Sequence, residues 1–206
     1  MSLIETSAND NWECRKIDFN KTNSISAIEK CIGFNDFVIK SFEYNSSVIP
    51  YSHNSVYYLS TDKEGWSCFS TTELFTLEED TEFSSAIYLQ SNVIEDMSEV
   101  EIEVVDLDSG TAISVVNAST TRDFEWKLYR MKLGKQITNA KISVRAFVTT
   151  SANLAIQYMH ILNPKIDESL CDIDDQTTTE TRTEEQTNNN QRRNNYRSRN
   201  IDRNEN

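Results

Sequence analysis

Five runs between residues 84 and 161 alternate apolar with polar residues and are separated by short polar turns. Val100, Ile102 and Val104 fall on one side of an extended chain and Glu101 and Glu103 on the other, because successive side chains of a strand point to opposite faces. One face must be buried and the other wet. That pattern predicts antiparallel sheets, each packed on one side, and several such strands in succession predict an all-β, jelly-roll-like antiparallel β-sandwich. Asp108, Ser109 and Gly110 predict a hairpin after residue 107, since glycine takes the positive φ of a tight turn without a steric penalty.

The same reasoning extends through the later runs. Ile142, Val144, Ala146 and Val148 alternate with Lys141, Ser143 and Arg145, and Leu154, Ile156 and Tyr158 alternate with Ala155, Gln157 and Met159. Phe124, Trp126 and Leu128 share one phase, whereas Tyr129, Met131 and Leu133 share the opposite one. A one-residue slip near Arg130 predicts a β-bulge there. Phase assigns Val100, Ile102, Val104, Trp126, Ile142, Val144, Leu154 and Ile156 to the core.

Composition divides the chain into three. Residues 50–165 predict the sandwich, entered through the strand of residues 56–59 and closed by Asn163 and Pro164, because proline cannot donate to a ladder. Residues 1–49 predict a partly irregular N-terminal arm laid on the sandwich by Trp12, Phe19, Phe34 and Phe37. Within it, Ser26 and Glu29 have the spacing of a capping box and Ile25, Ile28 and Ile32 share a helical face, which predicts a short helix before Gly33. Residues 166–206 pass from a Thr/Glu-rich to an Asn/Arg-rich segment and predict a disordered polar tail, too poor in apolar side chains to offset its ordering entropy.

Charge and cysteine content narrow the functional classes. The net charge is −13. An acidic body repels phosphate backbones, so no nucleic-acid partner is expected, and the arginines of the tail (Arg192, Arg193, Arg197, Arg199 and Arg203) are read as solvated. No run approaches the roughly 20 apolar residues of a membrane-spanning helix. The first residues lack the basic start and apolar stretch of a signal peptide.

Cys14, Cys31, Cys68 and Cys171 are even in number, widely spaced and without a C-x-x-C pair, which favours two disulfides over a zinc site. Three pairings exist. Cys14 with Cys31 and Cys68 with Cys171 is the expected one, since the second bond would tie the exit of the sandwich to its early strands; four unpaired thiols packed as small hydrophobes are the alternative. Sequons at Asn20, Asn45 and Asn117 are the glycosylation candidates, at a frequency chance alone supplies in so Asn-, Ser- and Thr-rich a chain.

The order of these pieces resembles a MAM domain, an extracellular adhesion module. The resemblance runs through HNSVYYLST, FSSAIYLQS, VEIEVVDLDSG, WKLYRMKL and KISVRAFVTTSANLAIQYMHI, with Cys171 ten residues on, and covers roughly residues 53–171. It implies a jelly-roll sandwich that recognises protein partners outside the cell. The chain departs from the family at Ser84 and Ser85, where many members have a cysteine. It departs again at Gln157 and Tyr158, which replace an acidic pair, so a family metal site is not carried over.

No phosphate-cradling glycine loop or nucleophile elbow is present. The two histidines, His53 and His160, are isolated in sequence, so the usual base for nucleophilic catalysis is scarce. Glu101 and Glu103 have the spacing of a glycosidase pair, and Asp106 and Asp108 could attract calcium, but alternating glutamates and a hairpin entry are the ordinary roles of such residues. No catalytic residue, metal or cofactor is therefore expected. The reading is a non-catalytic extracellular or secreted module for protein–protein adhesion, partnered by another protein, a cell-surface glycan or a second copy of itself. The alternative is a carbohydrate-binding jelly roll using Tyr57, Tyr58, Trp66 or Trp126.

Overall fold

The computed structural model describes residues 14–42, 47–166 and 171. Twelve strands form two antiparallel sheets: β1 (Cys14–Asp18), β2 (Ile28–Lys30), β3 (Phe37–Ser41), β4 (Tyr57–Thr61), β5 (Gly65–Thr71), β6 (Phe75–Leu77), β7 (Glu82–Ser91), β8 (Glu99–Asp106), β9 (Thr111–Ser119), β10 (Lys127–Lys132), β11 (Ile137–Val148) and β12 (Ala152–Leu162). The first sheet runs β10-β7-β12-β4-β3 and the second β2-β5-β11-β8-β9, with β6 also pairing β11. Along its second edge β12 meets β4 in its first half and β1 in its second.

The expected sandwich is what forms, and its interior obeys the alternation. Val100, Ile102 and Val104 of β8 pack with Ile142, Val144 and Ala146 of β11 and Leu154 and Ile156 of β12, all buried in one core. Phe69 sits among them, edge-on to Phe37 at 4.9 Å and to Phe19 at 6.5 Å. Burying one such ring is worth about 1.5–3 kcal/mol. The core is therefore closed partly by residues before position 42.

Several expectations are corrected here. Residues 14–41, expected as a partly irregular arm, supply β1, β2 and β3 and bury Ile17, Phe19 and Phe37. The short helix is a 3₁₀ turn, Thr22–Ala27, with no side-chain cap; Ser26 Oγ donates to Asn23 O, and Glu29 lies on β2. Pairing of Ile28–Lys30 with β5 satisfies those backbone groups better than an isolated helical turn could. The bulge near Arg130 does not exist, as Lys127–Lys132 pair with β7 in unbroken register. The two apolar phases are the two faces of one strand: Tyr129 and Met131 pack on the core, whereas Leu128 is exposed on the other side.

The disulfides join Cys14 to Cys171 and Cys31 to Cys68, with Cα separations of 5.1 and 5.3 Å, and the expected pairing is wrong. The register explains it. Cys14 faces Leu162 at the end of β12, close to where the chain reaches Cys171, and Cys31 N donates to Cys68 O where β2 runs beside β5. Sequence spacing carries no register information. Of the expected tail, only Ile166 and Cys171 are among the described residues; Trp12 and Asn45 lie outside them.

Candidate ligand-binding groove

Alternate residues of β7 and β12 leave the core for the outer face of the first sheet. On β7, Phe83, Ile87 and Leu89 point inward while Ser84 and Tyr88 take the other side. On β12, Leu154 and Ile156 point inward, but the register with β7 then shifts between Ile156 and Tyr158. Gln157 is the extra residue. Met159 and Ile161 consequently turn inward and Tyr158 outward, where unbroken alternation would have buried Tyr158 beside Ile156. Re-aiming a side chain is a common consequence of a bulge.

Residues 47–57 cross this outer face as a strap held by side chains from four parts of the chain. Tyr88 Oη donates to Ser47 O at 3.2 Å and Trp126 Nε1 to Ile49 O at 2.8 Å. Asn20 Oδ1 accepts from Val56 N at 2.6 Å and Tyr57 N at 3.0 Å, and Gln157 Nε2 donates to Tyr57 O at 3.2 Å. Beneath the strap lies a second apolar cluster of Val48, Tyr58, Tyr88 and Ala155, with Phe42, Phe124 and Trp126 packed against it. Trp126 thus belongs to this outer cluster, a correction to its assignment to the core. Phe124 has φ 53°, and its N–H is held by Gln90 Oε1 at 2.9 Å, so the chain enters β10 through a left-handed residue that alternation could not reveal.

Among the described residues, grooves border the strap on two sides. One, of about 330 Å³, opens towards β3 and β4 and is lined by Lys40, Tyr58, Asp62 and Asn153 among others. The other, of about 390 Å³, lies where β1 joins β12. Its aromatic wall is Tyr51 and Tyr158, edge to face at 6.0 Å, backed by Trp126 at 5.4 Å from Tyr51. Lys16 Nζ stands 5.7 Å from the Tyr158 ring centre. Asp18, Asn20, Glu82, Arg130 and Gln157 add polar groups of both signs.

The Tyr158 hydroxyl is kept neutral but hydrogen-bonding. Burial, and after it the neighbouring Tyr51, push the Tyr158 hydroxyl up to about 12, so it stays protonated at any physiological pH. Gln157 is 3% exposed, and its Oε1 has no hydrogen-bond partner among the described residues. A buried carbonyl oxygen without a donor costs about 1–3 kcal/mol. A donor supplied from the groove would remove that cost.

The other sequence candidates are placed elsewhere. Tyr58 is buried under the strap, and Trp66 is 47% exposed on β5 of the second sheet, 5.3 Å from Phe147. Glu101 and Glu103 both pair with Arg145, at 3.3 and 2.6 Å, so their carboxylates share one cation. Asp106 accepts from Ser109 Oγ and from the N–H groups of Asp108 and Ser109, and Asp108 accepts from Thr138 and Asn139. These carboxylates staple a hairpin. Cys14, His160 and Cys171 bring metal-ligating atoms together, but both sulfurs belong to the disulfide. His53 is exposed. Among the described residues no helix is long and apolar enough to cross a membrane.

Tyr51 and Tyr158, the aromatic pair of the larger groove, are not singled out by sequence. The only signal is the unusual Gln157-Tyr158 pair in the last strand, and it points to a lost metal site rather than to a wall. The sequons also differ: Asn117 is exposed on β9, whereas Asn20 Nδ2 donates to Asn54 O at 3.1 Å while its oxygen holds the strap.

No family model and no curated protein matches the chain. Among solved structures it is similar to the K1 cleaved adhesin domain of Lys-gingipain from Porphyromonas gingivalis W83, at TM-score 0.50 and 8% identity, covering 73% of this chain and 98% of that one. It is also similar to TmCBM61 in complex with β-1,4-galactotriose, at TM-score 0.46 and 16% identity over 66% and 86% of the two chains. A third is the CBM22-1 xylan-binding domain of Paenibacillus barcinonensis Xyn10C, at TM-score 0.45 and 14% identity over 74% and 94%. At such identities the likeness concerns the fold, which this chain shares as an antiparallel β-sandwich.

Proposed function

We propose that this chain is a non-catalytic glycan-binding module acting in an oxidising, extracellular setting, and that its site is the 390 Å³ groove between the strap, β1 and β12. The observation that carries the reading is the wall itself. Tyr51 and Tyr158 offer ring surface for the apolar faces of a sugar, beside side chains that donate to and accept from hydroxyls. Two disulfides support the compartment. This reverses the priority set by sequence, which places protein adhesion first.

Kinship with MAM domains is a separate proposal. It is supported by the five matching pieces falling on β4, β7, β8, β10 and the β11–β12 hairpin.

A glycan array with the folded chain tests the function, followed by Tyr51→Ala and Tyr158→Ala. Each is expected to weaken binding about two- to tenfold, since sugar stacking on one ring is of the order of other aromatic contacts, about 0.5–1.5 kcal/mol. Trp66→Ala, on the other sheet, should leave binding unchanged. An array without any bound glycan, or binding that depends on Trp66 and ignores both tyrosines, defeats the proposal.

A further inference from the structure

The strand registers align four outward residues of the groove in one row across the first sheet. Lys16 of β1 faces His160 of β12, His160 faces Ser84 of β7, and Ser84 faces Arg130 of β10. All four line the groove. Neighbouring strands lie about 4.8 Å apart, so the row spans about 14 Å between its outer Cα atoms, well within the reach of a lysine and an arginine converging on one group.

The carboxylates of the groove occupy the rows on either side. Asp18 faces Tyr158, and Glu82 faces Leu162, each two residues along its strand and so about 6.5–7 Å from the row. Asp18 Oδ1 accepts the Asn20 N–H at 3.0 Å. Glu82 reaches Arg130 only at 3.9 Å, with the Arg130 side chain 63% exposed. Lys16 makes no ion pair among the described residues; its ammonium lies over the Tyr158 ring. In a body that is otherwise acidic, this row sets two cations on either side of His160 and Ser84, both buried, with Ser84 against the Tyr158 hydroxyl and no carboxylate in the row.

We infer that the groove is selective for acidic glycans, with an anionic oxygen group, either the carboxylate of a uronic-type sugar or a sulfate ester, seated on the Lys16–Ser84–Arg130 row. This rests on the glycan-binding reading above and names its ligand class. Sugar hydroxyls beside the anionic group meet Asp18, Glu82 and Gln157, and the ring packs on Tyr158. Arg130 supplies a planar fork suited to two oxygens of one anion, and Lys16 a point charge.

The test uses the folded chain and one oligosaccharide backbone in three forms: neutral, oxidised at C6 to the carboxylate, and sulfated. Calorimetry is run at low and high salt, alongside an array containing all three glycan classes. One or both acidic forms should bind about tenfold more tightly than the neutral form, the expected scale for one charge-assisted contact. The advantage should shrink with salt. Lys16→Gln and Arg130→Gln should each reduce it, weakening the acidic forms more than the neutral form, with the melting temperature unchanged. Which acidic form gains more separates carboxylate from sulfate. Equal affinity for neutral and acidic forms, or an acidic preference untouched by both substitutions, overturns the inference and leaves glycan binding standing. No binding to any class on the array overturns both.

Discussion

The bond between Cys14 and Cys171 offers the clearest quantitative test of how this fold is held. It closes a sequence separation of 157 residues, against 37 for Cys31 and Cys68. In the chain-entropy account, a cross-link over so long a loop removes about 17 cal/mol/K from the unfolded ensemble, or about 5 kcal/mol at 25 °C, and the shorter loop gives about 4 kcal/mol. The double variant Cys14→Ser, Cys171→Ser should therefore lose most of a small protein's stability margin, tempered by whatever β1 recovers through its five registered pairs with β12. Urea unfolding monitored by tryptophan fluorescence reads this directly. The midpoint should fall by the equivalent of about 2–5 kcal/mol and the slope should rise, because an uncross-linked denatured chain exposes more surface. Since β1 carries Lys16 and Asp18 to the groove, with Asn20 just after it, glycan affinity should fall under conditions where the rest of the sandwich is still folded. A loss below about 1 kcal/mol with unchanged slope would refute the entropic reasoning.

Phe69→Ala should cost about 3–5 kcal/mol, because Phe69 is 1% exposed and touches Phe19 and Phe37; a loss under about 1 kcal/mol in the same urea assay would show that the core collapses around the gap. For Asp96, desolvation raises the carboxyl pKa, but hydrogen bonds from Ser151, Ser98 and Thr149 outweigh it and hold the group well below the usual carboxylate range. A depressed folded pKa contributes stability that is present above the unfolded value near 4 and is lost as pH falls towards the folded one, so Asp96→Asn should flatten the acid limb of stability against pH; an unchanged limb contradicts this. In protein secreted from eukaryotic cells, glycopeptide mass spectrometry should find a glycan on exposed Asn117 and none on Asn20, whose amide braces the strap; occupancy at Asn20 in folded protein would contradict that role.

Period-two alternation determined the class of fold and much of its core, because which face of a strand is buried depends only on residue type and the pleat. Val100, Ile102, Val104, Ile142, Val144, Leu154 and Ile156 are legible for that reason. The same rule misplaces Tyr158 and Trp126. The Gln157 bulge turns Tyr158 outward and is braced from Tyr57, remote in sequence, while Trp126 lies on the outward phase shared with Phe124 and Leu128, where the strap covers it. Disulfide pairing escapes in the same way, since cysteine spacing says nothing of which strands lie side by side. The groove is the fullest case. Lys16, Ser84, Arg130 and His160 lie on four strands far apart in the chain and become one row only through three strand registers. Local chemistry determined what each strand could bury; the tertiary structure decided which exposed side chains stand together, because register is set by the packing of the whole sandwich.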